Sequence, residues 1–179
     1  TRANVIGGML AGANLRHVSL TGANLIGTKF MAADLQSANL QGARMTRADF
    51  SEANLINANL SHADCTEVVG IGMNLKMAIL PDTNWQRANL QRVDLRGADA
   101  SHSNFSQVIL VEAFLSHTNF THCILREASL RRARLRKSIF LNADLSQANL
   151  EKTKPNACNF DGADMSNVVL PTELLLKAG

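Results

Sequence analysis

A five-residue beat runs through the whole chain, and few folds can accommodate it. In ADLQSANLQGARMTRADFSEANLINANLSHAD (33–64) an alanine opens every unit, and an apolar residue follows two places later in all but the last. Taken every fifth residue from 5 to 170, there are 34 such apolar positions: twenty Leu, six Phe and two Met, with Val5, Cys65, Gly70, Trp85, Ala100 and Pro155 as the rest. Two residues before each, Ala fills 19 of the 34, and Met73 is the one large residue. The phase is never lost. A helix repeats near 3.6 residues and a strand every two, so five fits neither. Residues two apart on an extended chain point to the same side. The small residue and the large one therefore face inward together. Five is odd, so the chain must turn within each unit to bring the next pair back inside. Short strands joined by turns in one direction give a solenoid with a narrow, uniform core. Ala is needed beside Leu because a bulkier residue would not fit.

The units ANLIG, ADLQS, ANLQG, ADFSE, ANLIN, ANLSH, ANLQR, ADLSQ and ANLEK are close copies of A(D/N)LXX. On these residues the chain resembles the pentapeptide-repeat proteins over almost its whole length. The resemblance implies an all-β fold, a right-handed quadrilateral β-helix with four faces and about 20 residues per coil. That gives about 8.5 coils stacked at ~4.8 Å, a rod of roughly 40 Å. Handedness and the four-sided section come from the resemblance, not from the periodicity. The core is expected to hold Leu35, Leu40, Phe50, Leu55, Leu90, Leu95, Phe105, Leu125, Leu135, Phe140 and Leu145. The Asn or Asp before each core residue is suited to bond the backbone at the turn.

Residues 1–170 read as the β-helix and 171–179 as a C-terminal cap. PTELLLKAG has the pattern of a short helix starting at Pro171 or Thr172, whose leucines would cover the open end of the stack. A homodimer contact through that end is the alternative. The chain enters already in phase at Thr1, so an upstream segment is expected. Within 66–87, Gly70, Met73, Pro81 and Trp85 disturb the pattern. Either the coil continues with a distorted face, or part of the segment leaves as a loop carrying Trp85 outward as an anchor for a partner. Pro155 replaces a core Leu and is expected to break the ladder locally.

Composition narrows the function. Aromatics make up only 4% of the chain and Tyr is absent, while net charge is a mild +3. No apolar run is long enough for a membrane span, and the chain as given carries no secretory signal. Cys65, Cys123 and Cys158 have no metal-ligand spacing and read as buried free thiols. They suit a reducing compartment, with the cytoplasm expected. No Ser–His–Asp set, P-loop or GxGxxG is present, so neither an enzyme nor a cofactor or metal protein is expected. Residues 20 apart should stack, giving charge columns Glu52–Gly72–Arg92–Glu112–Arg132–Lys152 and Arg47–Glu67–Arg87–Gln107–Glu127, and a polar column His62–Asp82–His102–His122.

The strongest charge feature is REASLRRARLRK (126–137). Arg126, Arg131, Arg132, Arg134, Arg136 and Lys137 spread over three faces of one coil, as a partner contact or as ordinary surface charge. Three functions follow. The first is a non-catalytic scaffold of bacterial type, presenting rigid faces to a partner protein in a regulatory or assembly role. The second, implied by the resemblance, is a DNA-mimicking protein that protects gyrase, which needs strongly negative faces. The third is direct binding of DNA or an anionic surface through the Arg-rich coil.

Overall fold

The computed structural model describes residues 3–171. Each pentad builds the same piece: a minimal extended segment, then a corner. The residue before each core position pairs in parallel with the residue twenty later, in a ladder running from Asn4↔Asn24 to Asn149↔Val169. Five residues per side and a twenty-residue register make four sides per coil. We number the faces by their core columns, each read in steps of twenty: face 1 from Val5 to Met165, face 2 from Leu10 to Leu170, face 3 from Leu15 to Pro155, face 4 from Leu20 to Phe160.

The corners explain how a short strand can turn so often. At every second residue after a core position, from Gly7 to Asn167, φ is positive, between 53° and 69°. That is the demand of a type II turn at its third residue. Only eight of these residues are Gly, so the strain of the others must be offset by hydrogen bonds. The turn itself is closed, as in Ala38 N–H to Leu35 O at 2.9 Å. The coils are tied together by bonds such as Leu35 N–H to Asn54 O at 2.7 Å and Ser37 N–H to Ile56 O at 2.9 Å. The Asn or Asp at the bridge position accepts from the first turn residue, as in Gln41 N–H to Asn39 Oδ1 at 3.0 Å and Ser146 N–H to Asp144 Oδ1 at 2.9 Å. This is the physical reason for the A(D/N)L pattern.

The interior is filled. All eleven core residues named from the sequence are at most 2% exposed. Phe30 and Phe50 stack at 4.6 Å on face 2, and Phe120, Phe140 and Phe160 stack at 5.2 and 5.0 Å on face 4. Where the small column holds Ser, Thr or Cys, the side chain donates to a core-residue carbonyl, in the same corner for Thr153 and in the coil before for several others. Thr118 bonds Leu95 O at 2.8 Å, Ser138 bonds Leu115 O at 2.7 Å, and Cys123 bonds Ala100 O at 2.8 Å.

Residues 66–87 do not leave the rod as a loop. Asp64↔Asn84, Val69↔Asn89, Asn74↔Asp94 and Ile79↔Asp99 keep the register throughout. Pro81 occupies the second position of an ordinary corner, where its fixed φ fits and no ladder N–H is needed; its carbonyl still accepts from His62 N–H at 3.0 Å. The space that a Gly leaves at core position 70 is taken by Met73, whose Cε lies 2.7 Å from where a Gly70 Cβ would be.

Pro155 does interrupt the ladder. Arg134 has no bridge to Lys154, although Phe114↔Arg134 lies below and Ile139↔Asn159 follows. A residue preceding Pro is sterically restricted, and Lys154 leaves the register. The expected C-terminal helix and the dimer contact through it lie outside the described residues. No helix is present among the described residues, and none is long and apolar enough to cross a membrane.

Candidate functional site

Trp85 is not a surface anchor. It is 1% exposed, inside face 1, with its indole N–H donating to Thr83 Oγ1 at 2.8 Å. Its ring lies parallel to Phe105 at 6.1 Å. Thr83 Oγ1 and Ser103 Oγ lie 2.9 Å apart and each 2.7 Å from Leu80 O, a triangle in which their two hydroxyl protons fill two of the three contacts. The polar edge of the widest core ring is thus satisfied within the tube. Cys65, twenty residues earlier in the same column, is a small neighbour for it.

The surface columns expected from the twenty-residue register are present, including those crossing 66–87. Arg47 Nε meets Glu67 at 2.6 Å, Arg87 meets Gln107 at 3.0 Å, and Gln107 meets Glu127 at 2.9 Å. Arg47 holds the Glu67 carboxyl below its usual pKa. His62 lies 3.6 Å from Asp82, and His102 stacks on His122 at 4.9 Å. Among the described residues no group of three or more His, Cys, Asp or Glu side chains is placed to hold a metal ion.

The Arg-rich coil is divided by the corners. Arg126, at the corner of faces 1 and 2, sits 3.8 Å from Glu127. Arg131 and Arg132 occupy the corner of faces 2 and 3, pairing with Glu151 at 3.0 Å and Glu112 at 3.2 Å. The Arg131 charge holds Glu151 below the ordinary carboxylate pKa, with Lys152 adding to it. Arg134 stands on face 3, with Arg136 and Lys137 at its far corner. Among the described residues none of these last three has a carboxylate partner.

Face 3 gathers what the linear sequence scatters. Arg132, Arg134 and Arg136 line one groove of about 450 Å³ with Lys152 and Lys154, beside the Pro155 break. Phe114 lies below Arg134, whose guanidinium is 4.8 Å from the ring centre; Arg96, from the coil before, is 5.6 Å from it. A second groove of about 320 Å³ is lined by Arg92, Glu112, Phe114, Arg132 and Arg134. The structure therefore brings Arg132, Arg134 and Arg136 together, leaves Arg126 apart, and adds Lys154 and Phe114. The signal for Lys154 was available: adding twenty to Arg134 reaches it.

The chain belongs to the pentapeptide-repeat family: Pentapeptide repeats (8 copies) match residues 1–36, 29–64, 72–107, 113–151 and 128–170. Membership assigns the rod to the right-handed β-helix. HetL, a pentapeptide repeat protein involved in heterocyst differentiation regulation from the cyanobacterium Nostoc sp. strain PCC 7120, is 27% identical. It superposes with a TM-score of 0.86 over 95% of this chain and 86% of its own. A trypsin-treated form of QnrB1, a plasmid-mediated fluoroquinolone resistance protein, is 18% identical at a TM-score of 0.50 over 98% of this chain and 96% of its own, a likeness of fold alone. No curated protein sequence matches the chain.

Proposed function

We propose that this protein is a non-catalytic scaffold that holds a partner protein against its outer walls, in a regulatory or assembly role. The carrying observation is the segregation of charge on a rod whose interior is full. On face 3, Arg134, Arg136 and Lys154 make no ion pair among the described residues, while Arg132 and Lys152 beside them are paired with Glu112 and Glu151, on a wall that the fold holds rigid. Solenoids present extended surfaces of this kind to their partners. HetL, with its regulatory description, supports the same class of role. A DNA-mimicking, gyrase-protecting role needs acidic walls, and the cations of face 3 run against it.

The test is native affinity capture with the intact rod, read by the stoichiometry of what is retained. A protein held in fixed ratio supports the scaffold. If no protein is retained in fixed ratio under native conditions, the scaffold reading is lost.

A further inference from the structure

We propose that the face 3 groove seats carboxylates of an acidic, extended segment on the partner protein, held by Arg134, Arg136 and Lys154. This rests on the scaffold reading and names the chemistry of the partner.

The bridge column of face 3 shows what these cations replace. It reads Asp34, Asn54, Asn74 and Asp94 before Phe114, Arg134 and Lys154. Each of the first four accepts an N–H at its turn, as in Gln36 to Asp34 Oδ1 at 3.2 Å and Arg96 to Asp94 Oδ1 at 3.2 Å. Arg and Lys cannot accept, so two turn bonds are forgone where the cations stand. Like charges on neighbouring strands also repel. Apart from the contact of Arg134 with the Phe114 ring, the rod gains nothing from this arrangement, whereas an anionic partner would.

The geometry selects the class of anion. Arg134 lies over Phe114, so its planar fork is ordered before any ligand arrives; the fork matches a carboxylate as it does a phosphate, and the surroundings disfavour the polyphosphates. The Phe114 ring is covered by guanidinium groups from the coil below and the coil above, which leaves it unfit to stack on a base as single-stranded nucleic acid requires. Glu112 and Glu151 fence the corner shared with face 2. A broad polyanion such as a duplex or a bilayer would meet them, while a single chain seated in the groove of Arg134, Arg136 and Lys154 avoids them.

The experiment uses the whole chain and fluorescence anisotropy of a fluorescein-labelled oligo-glutamate peptide at low salt. Two competing probes are a single-stranded oligonucleotide of equal charge and phosphatidylserine vesicles. Arg134→Ala combined with Arg136→Ala is expected to weaken peptide binding about tenfold or more, and Lys154→Ala to weaken it further. Arg47→Ala, on another corner, is expected to leave it unchanged, with far-UV circular dichroism confirming that each variant keeps the fold. The proposal is overturned if the peptide does not bind, if Arg47→Ala costs as much as the face 3 variants, or if the oligonucleotide or vesicles bind more tightly. A rod that ignores the peptide yet captures a protein in fixed ratio retains the scaffold reading and loses this one.

Discussion

Gly70 and Met73 show how single residues exchange volume inside the tube. Gly70 stands where other pentads have Leu, and Met73 stands where they have Ala; the methionine occupies the glycine's share of space. A Gly70 Cβ would lie 2.7 Å from Met73 Cε and 3.0 Å from Leu90 Cδ2. Gly70→Leu alone is therefore expected to destabilise by about 1–3 kcal/mol through overpacking, and Met73→Ala alone by about 2–5 kcal/mol through a cavity. Combined, they restore the ordinary pentad, and urea unfolding should place the double variant near the parent, a strong departure from additivity. Thr83 is a different case. Thr83→Val removes the acceptor of the Trp85 N–H and the buried partner of Ser103. A loss of about 1–3 kcal/mol is expected for the stranded polar groups. The thiols give a pH dependence. Burial pushes the Cys123 thiol from 9.0 to about 12 and the Cys65 thiol well above 9.0. In the unfolded chain both ionise near the ordinary value while the folded chain still holds the protons. Their contribution is thus complete below pH 9 and is lost as pH rises toward the folded values. Cys123→Ser keeps a donor for Ala100 O and removes the titration, so its unfolding free energy should fall less steeply above pH 9.

The pentad was legible at the scale of the element because its inward pair recurs without a slip. Leu35, Leu95 and Leu145 are fully buried in the structure. Four sides per coil were not legible from the beat, since five-residue sides could close a polygon of another order. The hydrogen bonds decide it, through a register of twenty that also pairs Arg47 with Glu67 and Arg132 with Glu112. The segment 66–87 was hard to read because each local breaker is compensated by a residue two or three positions away that meets it only once the corner is formed, or by its own place in the corner. Met73 fills for Gly70, Thr83 caps the Trp85 indole, and Pro81 sits where no ladder donor is required. Pro155 lacks such a remedy, and there the expectation of a break agrees with the structure. Pro155→Leu is expected to return Lys154 to the ladder and a full side chain to the core. Hydrogen exchange should show slower amides at Lys154 and Leu135, and the melting temperature should rise.

The basic wall belongs to the whole molecule, because no stretch of sequence contains it. Read linearly, 126–137 is a belt around three faces; folded, Arg126 turns away and Lys152 and Lys154 arrive from the next coil. If face 3 is the binding wall, its integrity depends on counting residues between Arg134 and Lys154. Deleting 141–145 removes one complete pentad and leaves a core residue in every remaining unit. It also moves all that follows back by one face. Lys154 would then stack above Ser129 on face 2, parted from Arg134 and Arg136, and Asn159 would take its place above Arg134. Deleting 21–40 removes a complete coil instead, so every downstream column keeps its face. Stability in a solenoid is close to a sum over units and their neighbours, so both shortened rods should fold, with lower melting temperatures. Only the first should show weakened acidic-peptide binding by anisotropy. Equal binding by both would mean that charge content, not the stacking of face 3, does the holding.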